Sequence, residues 1–308
     1  MNKVLMQLEK YLPNQIFSSI LILLKNENVN INEIRMRLHR YSTITLGHKN
    51  VILLDREQKP ILLSRNDIQK TFRMICENSL YKYENEIKNG YITLENGCRV
   101  GFCGTKSDGG MLKDISSLNF RLAHQVDHAA DYIFPLLYNN GKVFSSLILS
   151  EPGGGKTTIL SDISYKLCQK RLRVSIVDER GEIAATHGGI PQKNVGQLAD
   201  VLDGYNKGEG MLTALRTLSP QVIICDEIGS KQDVFAMIEA MNAGVPVIAS
   251  AHADKPQNIQ NRPQLKALIE NNAIDKFFFL QGATHPGQLN KVLSLEEMYE
   301  IIGNHSVV

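Results

Sequence analysis

The residues best suited to chemistry lie in one stretch, Ser150-Glu151-Pro152-Gly153-Gly154-Gly155-Lys156-Thr157-Thr158. An apolar run, Val143–Leu149, precedes it, and Ile159, Leu160, Ile163 and Leu167 follow at helical spacing. Strand, glycine-rich loop, then a helix opening on Lys-Thr is the layout of a phosphate-binding P-loop. Glycine lets backbone N–H groups turn inward and approach phosphate closely, and the helix N-terminus adds the positive end of its dipole. In this layout Lys156 reaches the β and γ phosphates of ATP, and the Thr157 hydroxyl ligates Mg²⁺. Ser150 stands where the first glycine of the motif usually sits. The plainer alternative is a glycine-rich turn before an ordinary helix, and Gly-Lys-Thr-Thr at this junction argues against it.

A second signal is the run Gln221-Val222-Ile223-Ile224-Cys225-Asp226-Glu227. An apolar strand ending in two acids downstream of a P-loop reads as a Walker B element. Asp226 would then hold the Mg²⁺ shell, and Glu227 would orient and polarise the attacking water. Burying such charge is costly without a cation nearby. A third signal, Val177-Asp178-Glu179-Arg180-Gly181-Glu182, ends a strand between the other two in sequence. Glu179 or Glu182 could support the water or the metal shell; a salt-bridged turn among Glu179, Arg180 and Glu182 is the structural alternative. The fourth is Val247-Ile248-Ala249-Ser250-Ala251-His252, whose strand end places His252 where a γ-phosphate sensor would sit. Arg180, Arg216, Arg262, Arg99 and Arg121 are all candidates for an arginine finger.

The elements that must position these residues fall into two parts. From Lys142 onward the rhythm is strand, helix, strand, helix, with apolar runs at Val143–Leu149, Val174–Val177, Val222–Cys225, Val245–Ser250 and Phe277–Leu280. Continuous apolar runs separated by helical segments predict a mostly parallel sheet covered on both faces. Ligands of such sheets bind beyond the carboxyl ends of the strands, where all four signals lie. Upstream, the pattern predicts an N-terminal helical region with Pro13 at a helix start. A half-buried strand is expected from Ile31, then strands at Tyr41–Leu46 and Val51–Leu54, and a helix over Asp67–Leu80. Alternation resumes from Ile87 to Gly104. This reads as a smaller α+β domain over residues 1–124, joined by a helical linker, Gln125–Tyr138, to a second domain over 125–308.

Composition narrows the function classes. With 308 residues the chain is long enough for two domains, or one large one with an extension, and 43% hydrophobic with 21% charged is ordinary for a soluble globular protein. A formal net charge of +2 argues against a protein held on nucleic acid by bulk charge, and no basic stretch is interleaved with aromatics. Cys76, Cys98, Cys103, Cys168 and Cys225 have no paired metal-ligand spacing, so reduced thiols in a cytoplasmic protein are expected. No apolar run approaches the roughly 18 residues of a membrane span, and Met1–Lys10 lacks the apolar core of a signal peptide.

Across nearly its whole length the chain resembles the stage III sporulation protein AA family of endospore-forming Gram-positive bacteria. The resemblance rests on Ile34–Arg37, Gly90–Leu94 with Arg99–Gly101, Asn119–Ala123, Ser150–Thr158, Val177–Ala185, Asp200–Gly204, Leu215–Ile223 and Asp226–Gly229. The order of motifs is also similar to the ATPases of type II and type IV secretion. Val177–Glu182 falls at their aspartate box, Leu215–Gly229 at their Walker B, and Ala249–His252 at their histidine box, of which one His is present here. The resemblance implies a RecA-like P-loop ATPase core with a smaller N-terminal α+β domain, assembled into a homo-oligomer, a hexameric ring. It also makes Arg121 the most suggestive of the first-domain arginines. It further implies an ATPase lying peripherally on the mother-cell face of the forespore membrane, which would energise or assemble a secretion-like channel of membrane-embedded sporulation proteins. A nucleic-acid-associated ATPase and a nucleotide-regulated scaffold with little turnover are the alternatives.

Overall fold

The computed structural model describes residues 3–24, 31–47, 49–106, 112–122 and 126–303. The chain divides into two compact units, Met1–His124 and Gln125–Val308.

The first unit runs α1 (Lys3–Leu8), α2 (Asn14–Leu24), β1 (Ile31–Arg37), β2 (Thr43–Leu46), β3 (Lys49–Ile52), α3 (Arg65–Ile75), α4 (Glu84–Asn89), β4 (Tyr91–Thr93), β5 (Arg99–Lys106) and β6 (Leu112–Arg121). Its six strands form an antiparallel sheet in the order β3-β2-β1-β6-β5-β4. In β1, Ile31, Ile34 and Met36 are buried while Arg35 and Arg37 stay half-exposed, the alternation expected of a sheet with one wet face. Ile68, Phe72 and Ile75 of α3 share the same core. A capping box starts α3: the Asp67 amide donates to Ser64 Oγ, and the Ser64 amide donates back to Asp67 Oδ2 at 2.9 Å. The helix stops at Ile75 rather than Leu80 because Glu77 and Asn78 take left-handed φ values of 50° and 59°. Likewise the start of the Ile87–Gly104 stretch is helix, ending on Gly90 at φ 84°. Strand β6 escapes the apolar patterning because its first six residues are mostly polar and none is fully buried.

The second unit opens with turns rather than with the expected helical linker, and Gln125 itself lies outside the described residues. Only α5 (Phe134–Leu137) is helical, with Pro135 in its first turn. Proline has no N–H to donate to the preceding turn, so a helix running through position 135 is not available. There follow β7 (Tyr138–Asn139), β8 (Lys142–Val143), β9 (Ser146–Leu149), α6 (Lys156–Gln169), β10 (Val174–Asp178), β11 (Ala199–Asp203), α7 (Lys207–Thr217), β12 (Val222–Cys225), α8 (Lys231–Asn242), β13 (Val247–Ala251), α9 (Pro263–Glu270), β14 (Lys276–Leu280), β15 (Leu289–Ser294) and α10 (Leu295–Gly303).

The main sheet has seven strands in the order β11-β10-β12-β13-β9-β14-β15, parallel throughout except for the antiparallel β14–β15 edge pair. Its central strands are buried at every position, and the two faces explain why. Ile148, Ile176, Ile224 and Ile248 pack with Ile159, Ile163 and Leu167 of α6 on one face. Leu147, Leu149, Val177, Ile223 and Ala249 pack with Met211, Ala236 and Met237 of α7 and α8 on the other. Because both side-chain directions are covered, these strands read as unbroken apolar runs. The fold is the expected α/β one, a mostly parallel sheet with helices on both faces, accompanied by a smaller N-terminal α+β unit.

Candidate functional site

The glycine-rich loop leaves the buried end of β9 and reaches the first residue of α6 within six residues, 150–155. Gly153 and Gly155 carry φ values of +78° and +87°, which a side chain would strain. At Gly154 the constraint is space: a Cβ there would lie 1.8 Å from Ser150 Oγ. The serine in the first motif position therefore fills the room that a third side-chain-free residue leaves. Its hydroxyl oxygen is buried without a hydrogen-bond partner.

Lys156 opens α6 and is only 6% exposed. Its ammonium donates to the carbonyls of Ser150 and Glu151, at 3.1 Å each, and stands 3.2 Å from His252 Nδ1. Burial pulls its pKa down, against the opposing charges of Glu227 and Glu182. Thr157 and Thr158 sit half-buried in the same helical turn.

On the next strands the parallel register Val177↔Cys225 sets the following residues, Asp178 and Asp226, side by side. Asp226 is 1% exposed and neither carboxylate oxygen has a hydrogen-bond partner. Burial pushes its pKa up to about 7; Asp178, Glu182 and Glu227 add to the rise, and Lys207 opposes it. An orphaned, buried acid among other acids is the donor set a hard divalent cation needs, so the residues fit Mg²⁺ with Asp226 as an oxygen ligand.

Glu227 follows at φ 33°, a conformation rare for a side-chain-bearing residue. It is held there by its amide donating to Ser250 Oγ at 2.9 Å and by the Ile228 amide donating to the Ser250 carbonyl at 2.8 Å. The Glu227 side chain meets His252 Nε2 at 2.8 Å through Oε1, and Arg180 at 3.3 Å through Oε2. His252 Nδ1 also lies 3.3 Å from the Ser150 carbonyl; a proton on Nε2 donates to Glu227 and leaves Nδ1 to accept from Lys156, which itself donates to that carbonyl. Lys156 and Glu227 are thus joined through one imidazole.

The acidic turn after β10 divides its members. Glu179 pairs with Lys207, which is largely buried at the start of α7. Arg180 is mostly exposed and reaches Glu227. The charge of Glu182 is felt at both Lys156 and Asp226, while its carbonyl accepts from Lys193 at 2.6 Å. Asp178 holds the turn together: its carboxylate accepts the amides of Glu182 (2.8 Å), Ile183 (3.1 Å) and Ala184 (2.8 Å). An open cleft of about 530 Å³ is lined by Glu179, Arg180, Lys207, Glu227, His252 and Arg262 among others. Of the other arginines, Arg216 donates to the Leu212 carbonyl of its own helix. In the first unit Arg99 stacks on the Tyr91 ring at 3.4 Å, and Arg121 lies 3.8 Å from Glu33.

The structure thus brings Lys156, Glu227 and His252 into direct contact, with Asp226 beside them. Sequence reasoning placed Ser250 with His252 at the end of the fourth signal but did not foresee its bond to the Glu227 amide, and it missed Lys207 and the Gln281–Gln288 loop. Lys207 follows a turn with no motif. The loop had a weak signal in Gly282-Ala283-Thr284-His285-Pro286-Gly287. Its Gly287 amide donates to the Gly154 carbonyl at 2.9 Å, so it touches the phosphate loop from the other side.

Known proteins of similar fold and sequence place the chain. In structure it is similar to the ATPase DotB of Legionella pneumophila, with a TM-score of 0.58 at 16% identity over 87% of this chain and 77% of that one. It is likewise similar to the pilus retraction motor PilT, with a TM-score of 0.55 at 14% identity over 84% of this chain and 77% of that one. In sequence it is 35% identical over 299 residues to the stage III sporulation protein AA of Bacillus subtilis, covering 93% of this chain and 94% of the relative. The family model described as sporulation stage III, protein AA, matches residues 6–298. The chain belongs to that sporulation family.

Proposed function

We propose that the protein is an ATPase, hydrolysing ATP to ADP and phosphate with Mg²⁺. Asp226 carries the reading: a carboxylate buried without a partner, at the strand end next to a Lys156–His252–Glu227 chain. In this reading the loop amides and Lys156 hold the β and γ phosphates, and Thr157 with Asp226 holds the metal. The bound cation would neutralise charge on the phosphate oxygens. Glu227 orients and polarises the water, and His252 reports the state of Lys156 to it. When phosphate draws the Lys156 ammonium away from the Ser150 and Glu151 carbonyls, His252 is free to reorient Glu227. Glu182 supports the site through its charge at Lys156 and Asp226.

DotB is an ATPase, PilT is a pilus motor whose structure holds ADP, and membership of the sporulation family sets the context. On that basis the protein works as a homo-oligomer, a hexameric ring, peripheral on the mother-cell face of the forespore membrane. There it would energise or assemble a secretion-like channel of membrane-embedded sporulation proteins. Among the described residues no helix is long and apolar enough to cross a membrane, so contact with such a channel would be made from its side. Arg121 is the first-unit candidate for completing a site within such a ring.

Two variants test the chemistry. Lys156→Ala removes the main point charge on the β and γ phosphates and is expected to abolish ATP binding by titration calorimetry; unchanged affinity would sink the P-loop assignment. Glu227→Gln is expected to keep ATP bound and slow phosphate release by about a hundredfold or more. Wild-type turnover in that variant would move the water-orienting role to Glu179 or Glu182.

A further inference from the structure

We infer that the loop joining β14 to β15, Gln281–Gln288, is the nucleoside wall of the site, a subsite for the ribose and purine base of a nucleoside triphosphate. The inference rests on the P-loop reading above and adds the half of the ligand that reading leaves unplaced.

Sheet order carries the first step. Strand β9, which delivers the phosphate loop, lies between β13 and β14. All the groups that would handle the terminal phosphate arrive from the β13 side: His252 after β13, then Asp226 and Glu227 after β12. A triphosphate is a short, roughly linear chain. With its γ end toward Glu227, its sugar must leave toward β14, where the Gln281–Gln288 loop stands.

Contact carries the second step, because this loop is built against the phosphate loop. The Gly287 amide donates to the Gly154 carbonyl at 2.9 Å. A Cβ on Gly155 would lie 2.8 Å from the Gly287 nitrogen, and one on Gly153 would lie 3.6 Å from Ala283 Cβ. Gly282, at φ +87°, approaches Glu151 Oε2 closely enough that a Cβ there would be 3.5 Å away. Gly282, Ala283 and Gly287 of one loop therefore rest on Glu151 and Gly153–Gly155 of the other, and the absence of side chains at the glycines lets the two backbones pack side by side.

Rigidity and composition carry the third. The loop is closed at its base by the Gln281 amide donating to the Gln288 carbonyl at 2.9 Å, and internally by the Gln288 amide donating to the His285 carbonyl at 3.2 Å. Its crest exposes Thr284 and His285, whose Oγ1 and Nδ1 are 3.2 Å apart. A hydroxyl and an imidazole on a pinned loop offer hydrogen bonds to a ribose and a flat ring face to a base, groups a bare phosphate chain would not need.

The experiment compares ATP with inorganic tripolyphosphate, each titrated calorimetrically into wild type, the Thr284→Ala/His285→Ala double variant and Lys156→Ala. The double variant is expected to lose about tenfold in ATP affinity, a stacking and hydrogen-bond loss, while binding tripolyphosphate as wild type does. Lys156→Ala is expected to lose both ligands. Equal losses for the two ligands in the double variant would mean that the loop only shapes the phosphate loop, overturning the subsite. Unchanged ATP affinity would overturn it too. A wild type that binds tripolyphosphate and ATP equally would deny any nucleoside subsite while leaving the P-loop reading intact. A wild type that binds neither would overturn both.

Discussion

Asp178 and Asp226 end neighbouring parallel strands in the same register and are equally buried, at 0% and 1% exposed, yet they do opposite things. Asp178 gives its oxygens to three successive backbone amides and so folds the acidic turn that carries Glu179 and Glu182. Asp226 gives its oxygens to nothing in the protein and carries a pKa raised to about 7, mainly by burial. The lesson is that residue type and depth do not separate a structural acid from a candidate metal ligand. What separates them is whether the fold has already supplied the acceptor's donors.

The largest effect that would break this comparison is on Asp178. Replacing it with Ala leaves two buried amides and one half-buried amide without an acceptor and is expected to cost more than about 3 kcal/mol, read by urea denaturation. A near-neutral result would mean that the turn holds without its aspartate.

Asp226→Asn is expected to behave in the reverse way, losing hydrolysis by about a hundredfold while stabilising the metal-free protein. The sign follows from linkage. The native carboxyl keeps its proton up to about pH 7 while the unfolded one releases it near 3.8, so native stability falls as pH rises through that window. The melting temperature of the variant should therefore exceed wild type by about 3 °C or more at pH 8, with the gap closing toward pH 5. A variant less stable than wild type at pH 8 would show that Asp226 is structural after all.

A smaller effect sharpens the same contrast at the glutamates. Glu227 is partnered by mostly exposed Arg180 and by His252, whereas Glu179 is locked to the largely buried Lys207. A surface guanidinium can leave its partner at little cost; a buried ammonium cannot. Lys207→Met is expected to lower turnover about tenfold by releasing Glu179, and adding Glu179→Gln to it should cost no more, since the two act as one pair. Additive losses measured by phosphate release would mean that Glu179 acts on its own.

Much of this was legible in the sequence for a physical reason. The candidate phosphate loop is a local object, with strand, glycines, lysine and helix contiguous, and the strands around it are covered on both faces, so apolar runs mark them directly. Val222–Cys225 is the same span in sequence and structure. Strands at the sheet edges were less visible: β11 is mostly polar or half-exposed, and β15 pairs on one side only. Helix ends set by left-handed backbone, as at Glu77 and Asn78, leave no glycine to announce them.

The sequence by itself determined which residues could bind phosphate and metal, because those types and spacings are fixed by chemistry within a few bonds. Tertiary structure alone decided how they are joined. It ties Lys156 to Glu227 through His252, and it locks Glu179 to Lys207. It also satisfies Asp178 while leaving Asp226 free, and sets Gly287 against Gly154. Apart from the local turn around Asp178, each of these contacts spans distant parts of the chain, and only the order of strands in the sheet brings their ends together.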